Sequence, residues 1–420
     1  MRVKPLLPIL LVGLAAAWLR LPGLAERPMH ADEAVLADKF GTLLETGRYV
    51  YDPAGHHGTV LAYLTLLPAL ARGQTRYLQL DETTLRLAPV LLGILLAVAP
   101  LLIVDWPDRT SLWLAAALIA VSPGFVYYSR CYMPETALIC FNALAMAAGL
   151  RYFRTRRLVW AIAAGAALGL MYAAKETAVI AFAALAIACA ARWRAAGRTA
   201  LLAAAGTALG VAALFLSSFF LHPAGAWDSL RSLFVTYLGR AFQDPLHRHS
   251  WNFYFGVLAW EWPILVLAGA GVWRAVRERD PFLRCLCIYA LVLAAVYSAL
   301  PYKTPWCALN FWFPAILIAG AGAAWMLRTP EIGLRVATAV VLLFGFAHLS
   351  RQAAHFTGSA GALNNPYAYA QTGADVFLVR DRIARAARAH PEGERLPIQV
   401  VTSQNLWPLP WYLRRYPNVR

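Results

Sequence analysis

The chain has 420 residues, 60% of them hydrophobic and only 14% charged, with a mean hydropathy of +0.53. A soluble domain averages about 45–50% apolar and about 25% charged residues, so this composition marks an integral membrane protein and excludes disordered, collagenous and disulfide-stapled secreted classes. The net charge of +16 comes from 34 Arg and four Lys against 22 acids; in a membrane protein such an excess marks cytoplasmic loops rather than a nucleic-acid partner.

In chain order, Met1 to Lys4 carries two positive charges and Pro5 to Leu24 is an apolar stretch long enough to span. A cleaved signal peptide would use Ala15 to Ala17 as its small residues. The apolar run continues through Trp18, Leu19 and Leu21, and more spans follow, so it reads as a signal anchor. Further apolar segments lie near 84–104, 111–128, 136–150, 158–174, 177–191, 200–221, 253–273, 282–300, 307–326 and 334–350. Thr59 to Ala71 is apolar too, but its 13 residues fall short of the roughly 20 that a perpendicular span needs. It reads as a juxtamembrane helix.

With that assignment the cytoplasmic loops hold Arg151, Arg154, Arg156 and Arg157, then Arg192, Arg194 and Arg198, then Arg274, Arg277 and Arg279, then Arg328 and Arg335. The opposite short loops hold single cations, Arg130, Lys175 and Lys303. That asymmetry satisfies the positive-inside rule. The expected fold class is an all-α polytopic membrane protein with about eleven transmembrane helices and its N-terminus inside. Residues 1–350 form the transmembrane domain, with 25–83 as its first outer loop, and 351–420 form a small extracytoplasmic α/β tail. In that tail Asp375 to Ala389 has helical spacing and Pro397 to Thr402 reads as a short strand. Such a tail is too small for a core of its own, so it is expected to pack on the outer loops.

The outer face holds nearly all the polar residues that membrane architecture does not need. Met29, His30, Ala31, Asp32 and Glu33 precede a helix whose apolar face is Ala34, Val35, Phe40, Leu43 and Leu44. Asp32 sits where an N-cap would be, and Glu33 suits the positive end of the helix dipole, so both have a purely structural reading. Glu135, after Pro134, opens the next span in the same way, and Glu-Thr-Ala recurs one hairpin later beside Lys175. Lys175 and Lys303 are two of only four lysines, and each stands at an outer helix end, where a lone cation can snorkel to a lipid headgroup. Taken together the set says more. Carboxylates at Asp32, Glu33 and Glu135 with cations at Arg130, Lys175 and Lys303 on one membrane face supply a proton acceptor for an attacking hydroxyl and fixed charge for a departing phosphate.

These motifs are His-Ala-Asp-Glu after the first span, Ser-Arg-x-x-x-Pro-Glu after the third, Lys-Glu-Thr after the fifth and Tyr-Lys-Thr-Pro-Trp before the tenth. In them the chain resembles the multispan glycosyltransferases of the C-type fold, which include protein O-mannosyltransferases and the lipid A aminoarabinose transferase. It looks most similar to a prokaryotic branch described as flippase-activity-associated proteins, which Asn365-Pro-Tyr-Ala-Tyr and Trp407-Pro-Leu-Pro-Trp-Tyr-Leu-Arg also resemble. The resemblance implies catalysis by Asp32 with Glu33 as its neighbour, and makes Glu135 the counterpart of an acid that is commonly Asp. It implies donor-phosphate contacts from Arg130, Lys175, Tyr302 and Lys303, and from His57, which stands where the aminoarabinose branch has a Lys-Pro-Pro.

The function expected from this is an inverting, hexosyltransferase- or mannosyltransferase-like transfer of a sugar from a polyprenyl-phosphate donor to a glycan, lipid or protein acceptor outside the cytoplasm, with the enzyme in the plasma membrane. The alternatives are a non-catalytic lipid-linked sugar transporter or flippase partner, which would place charges at the bilayer centre, and a scaffold whose outer acids are replaceable. No cofactor is assigned. The six Cys sit mostly in apolar runs without paired ligand spacing, so no residue is assigned to a metal, and a role for a divalent ion stays open. The charge pattern predicts that a reporter active only outside the cytoplasm is active when fused after Arg351 and silent when fused after Arg154; the opposite pattern overturns the span count.

Overall fold

The computed structural model describes residues 6–55, 57–103, 108–190, 193–359, 364–402 and 405–420. Met1 to Lys4 with their two charges, Pro5, His56 and Arg192 lie outside the described residues. Helix α1 (Leu6–Arg20) leads into two helices of the first loop, α2 (Ala31–Thr46) and α3 (Val60–Ala71). The bundle continues through α4 (Glu82–Val98), the pair α5 (Arg109–Val121) and α6 (Pro123–Ser129), α7 (Glu135–Thr155), α8 (Leu158–Ala174), α9 (Ala178–Cys189) and α10 (Arg198–Leu216). Next come α11 (Ala224–Ser232), a π-helical turn at Leu233–Tyr237 and α12 (Leu238–Gln243). The chain closes through α13 (Trp262–Arg277), α14 (Pro281–Ala299), α15 (Leu309–Met326), α16 (Ile332–Gly358) and the tail helices α17 (Asp375–Ala389) and α18 (Leu409–Leu413).

Among the described residues seven helices are long and apolar enough to cross a membrane, and eight if α5 and α6 form one span bent by 57°. Helices α1, α8 and α9 are shorter but apolar, as is α3. The protein is therefore a multi-pass membrane protein. Lipid offers no hydrophobic drive to bring apolar helices together, so close backbone approach has to do it. Helix α15 lies in the middle against α5, α13 and α14. A Cβ at Gly271 of α13 would stand 2.1 Å from the Ile318 carbonyl oxygen, and one at Gly322 of α15 2.2 Å from that of Leu267. Only glycine lets these two helices touch.

Three features place the site. First, the bend at Ser122 and Pro123 is held by Glu261, a fully buried carboxylate just before α13. It accepts bonds from the Ser122 hydroxyl, the Gly124 N–H (3.1 Å), the Trp312 indole (2.8 Å) and the Tyr367 hydroxyl (2.9 Å). One side chain thus joins the bend, the central helix and the tail. Second, the stretch from α11 to α12 buries Gly225, Ser229 and Ser232 and exposes Trp227, Leu230, Phe234 and Val235. That is the reverse of a helix in water, and it fits a helix lying on the bundle with its outer face in lipid. Third, the tail folds back on the first loop: the Tyr412 hydroxyl accepts from the Met29 N–H (2.8 Å) and the Trp411 indole donates to Glu82 (2.9 Å).

Two expectations change. Where a strand was expected at Pro397 to Thr402, the described residues show one isolated parallel bridge, Ile398 with Val419. Pro397 has no N–H to donate, and the backbone bonds of this segment run only between Ile398 and Val400 on one side and Asn418 and Arg420 on the other. The apolar run ends near Ser350, but α16 continues to Gly358; its 27 residues make roughly 40 Å of helix, longer than a hydrocarbon core of about 30 Å. Replacing Glu261 by Ala orphans four buried donors at about 1–3 kcal/mol each. Glu261→Ala should therefore lower the thermal unfolding midpoint in detergent by many degrees and expose the segment around Tyr367 to protease.

Candidate active site

The first turn of α2 begins with a correction: its N-cap is His30, not Asp32. The His30 ring accepts from the Asp32 N–H through Nδ1 (3.1 Å), and the Glu33 carboxylate accepts from the His30 N–H (2.9 Å), which completes a capping box. Because Nδ1 accepts, the ring proton sits on Nε2, which donates to the Tyr369 carbonyl of the tail (3.1 Å). Asp32, two positions further on, does not have the capping role that its spacing suggested. Its side chain is 26% exposed, and Oδ2 lies 3.9 Å from His30 Nδ1.

Glu33 turns the other way. It is fully buried, and Arg86 of α4 grips it with both arms of the guanidinium, Nε to Oε1 at 2.9 Å and Nη2 to Oε2 at 2.8 Å. Arg27 (3.2 Å) and the Tyr132 N–H (2.7 Å) complete the set. Burial alone would raise the carboxyl pKa, but Arg86 and Arg27 outweigh it and hold Glu33 well below the usual carboxylate range. A carboxylate with five donors on two oxygens locks α2 against α4 and the Tyr132 loop. It has no lone pair left over for a substrate proton.

Asp32 instead lies within electrostatic reach of Lys175, just past α8. Lys175 forms a buried ion pair with Glu135 at the start of α7. Burial opposes the ammonium charge, but Glu135 first and Asp32 further off raise the Lys175 pKa above its ordinary value. The second oxygen of Glu135, Oε2, is buried with no hydrogen-bond partner among the described residues. Tyr302 joins the same cluster: burial raises its pKa most, and the nearby Cys307 thiol and Asp32 carboxylate raise it further, so it stays a neutral hydroxyl donor. Its ring stacks on His247 at 4.9 Å.

The remaining expected contacts lie elsewhere. Lys303 is only 1% exposed and donates to the carbonyls of Leu300 and His249 (3.1 Å for the latter), closing the end of α14. Arg130 does the same for α1 through Leu19 (3.5 Å), Arg20 (2.9 Å) and Gly23 (3.4 Å). His57 belongs to a second polar group built on Glu176: its Nδ1 lies 2.7 Å from the Tyr237 hydroxyl and 3.8 Å from Glu176. Glu176 is fully buried and accepts from the Tyr51 and Tyr237 hydroxyls, each at 2.7 Å. Burial opposes its charge, but the His57 ring and the two hydroxyls lower its pKa below the ordinary value. Among the described residues no group of three or more His, Cys, Asp and Glu side chains is arranged to hold a metal ion.

Tyr51, Tyr237, Arg86 and Glu261 are absent from the sequence reading, and Glu176 appears there only within the Lys-Glu-Thr motif, with no role of its own. For Arg86 and Glu261 a signal exists, since an ionisable residue inside or beside an apolar run demands a buried partner. For Tyr51 and Tyr237, which come from separate loops, none exists.

The solved structure of ArnT from Cupriavidus metallidurans bound to undecaprenyl phosphate matches with a TM-score of 0.71 at 16% identity, covering 99% of this chain and 86% of that one. The fold is that of the C-type membrane glycosyltransferases. AglB from Archaeoglobus fulgidus, in complex with an inhibitory peptide and a dolichol-phosphate, shares this C-type fold at a TM-score of 0.64 and 14% identity. That match covers 98% of this chain but 63% of AglB, so the chain spans less than two thirds of that protein. A family model for dolichyl-phosphate-mannose-protein mannosyltransferase matches residues 60–222. No curated protein matches the chain in sequence.

Within this C-type fold the Glu33 and Arg86 pair is the structural anchor of the site. Removing one partner of a buried pair typically costs about 3–5 kcal/mol because the other is left uncompensated. Arg86→Met should therefore lose stability on that scale in thermal unfolding, whereas Asp32→Asn should unfold like the parent.

Proposed function

We propose that the protein is an inverting glycosyltransferase that moves a hexosyl group from a polyprenyl-phosphate donor to an acceptor hydroxyl at the extracytoplasmic face of the plasma membrane. The observation that carries this reading is the pairing of a partly exposed Asp32 with the buried Glu135 and Lys175 pair, whose Glu135 Oε2 has no protein partner among the described residues. The fold is shared with proteins whose structures hold undecaprenyl phosphate and dolichol-phosphate, which supports the lipid-linked donor. The matched family model makes a mannosyl donor the first to try. The concentration of arginine at the opposite helix ends supports the orientation.

In this mechanism the acceptor oxygen attacks the anomeric carbon as the bond from that carbon to the phosphate oxygen breaks, inverting its configuration. Asp32 accepts the acceptor's proton, and the bonding pair leaves with the phosphate. Lys175, held in place by Glu135, and the neutral Tyr302 hydroxyl stabilise the phosphate charge. Glu135 Oε2 takes a hydroxyl of the sugar, which provides discrimination because a donor lacking that hydroxyl would leave a buried acceptor unpaired. Glu33, Arg130 and Lys303 act as positioning groups, and His57 with Glu176 and Tyr237 forms the wall beside the phosphate. Because His30 caps α2, Asp32→Asn should fold normally and yet reduce turnover about 10²-fold to 10⁴-fold in an assay with polyprenyl-phosphate mannose. Near-parental transfer by a folded Asp32→Asn variant would sink the assignment.

A further inference from the structure

At the arginine end of the bundle, away from Asp32, a crevice of about 790 Å³ opens between α1, α5, α7 and α8. That volume falls within the range of small-molecule sites, roughly 300–1,000 Å³. Its walls are apolar, with Leu112, Trp113, Leu144 and Ala163 among them, and Arg109 and Arg151 also line it. Along α7 the lining runs from Phe141 to Arg151, and along α8 from Trp160 to Leu170. Each is a ten-residue interval, roughly 15 Å at the helical rise. That is half of a hydrocarbon core of about 30 Å, so the crevice is one leaflet deep.

The two arginines are unmatched. Arg274 and Arg328, at the same end, both reach Asp108, at 3.4 Å and 2.7 Å. Among the described residues neither Arg109 nor Arg151 has a side-chain hydrogen bond or a carboxylate, and Arg151 Nε is buried without a partner. The Arg151 guanidinium lies over the Trp160 ring at 4.7 Å, which orients it while leaving its N–H groups free in their own plane. An apolar slot one leaflet deep, with two uncompensated guanidinium groups and two tryptophans in its lining, has the complement of one phosphate on hydrocarbon chains.

We propose that this crevice binds an anionic diacyl phospholipid of the leaflet at the arginine end, its phosphate held by Arg109 and Arg151 and an acyl chain lying along Leu144, Ala163 and Leu170. The lipid fills the space beside α8, the helix that ends at Lys175.

Native mass spectrometry of the full chain in detergent, titrated with phosphatidylglycerol and with phosphatidylcholine of the same chains, tests this without any sugar transfer. The parent should hold phosphatidylglycerol at least about tenfold more tightly, a ratio equal to about 1.4 kcal/mol. Arg109→Gln with Arg151→Gln should abolish that preference. Arg277→Gln, an exposed arginine at the same end but outside the crevice, should leave it intact. Ala163→Trp, which fills the slot and keeps both charges, should weaken retention of phosphatidylglycerol. Equal binding of the two lipids by the parent, an unchanged preference in the double variant, or the same loss in Arg277→Gln overturns the site. Tighter retention of a single-chain polyprenyl phosphate than of phosphatidylglycerol overturns the diacyl assignment.

Discussion

A carboxylate and a guanidinium meet where water does not reach, and the end of the bundle that bears Asp32 depends on that meeting. Glu33 is desolvated completely, which is tolerable only because Arg86 meets it through two parallel bonds and three further donors saturate its oxygens. Those donors come from the turn after α1, the first turn of α2, the body of α4 and the loop before α7. The fork geometry of arginine fixes distance and angle together, so the first turn of α2 is held in direction as well as position. Asp32 is the neighbouring residue on that turn.

The same reasoning separates the polar residues of this face by what they can still do. A group whose every lone pair or N–H is engaged by fixed partners cannot exchange a proton with a passing molecule or follow charge as it moves. Glu33 is of that kind, saturated by five donors, while Arg130 and Lys303 are tied to carbonyls at helix ends. Glu135 Oε2 is differently placed, with no hydrogen-bond partner among the described residues, and Asp32 is partly exposed rather than buried. The proposed proton acceptor is therefore Asp32 rather than its buried neighbour Glu33.

The sequence shows the outline of this arrangement and misses its connections. Apolar run lengths and arginine placement give the order of helices, because lipid imposes a length and an end preference on each. The short motifs gather at one end of the bundle, where the structure brings Asp32, Glu135, Lys175 and Tyr302 within electrostatic reach of one another. They do not separate Asp32 from Glu33: adjacent carboxylates look alike until the backbone turns one inward and one outward. Nor does spacing show that His30 is the cap, because a ring nitrogen in that role depends on the Tyr369 carbonyl that fixes its tautomer. The Glu261 network joins four distant segments, and no local pattern encodes it. The short strand expected in the tail is reduced to a single bridge, because a strand is made by its pairing and not by its own pattern.

The bond between His30 and the Tyr369 carbonyl, like that between Met29 and Tyr412, joins positions 339 and 383 residues apart. During synthesis the first loop therefore waits while the later helices are inserted, and the cap of α2 is fixed only when Tyr369 arrives. Loop-closure entropy makes such a contact late in any folding order. The turn bearing Asp32 is therefore among the last parts to settle. A half-made chain thus holds its apolar helices while the turn that bears Asp32 is still unfixed.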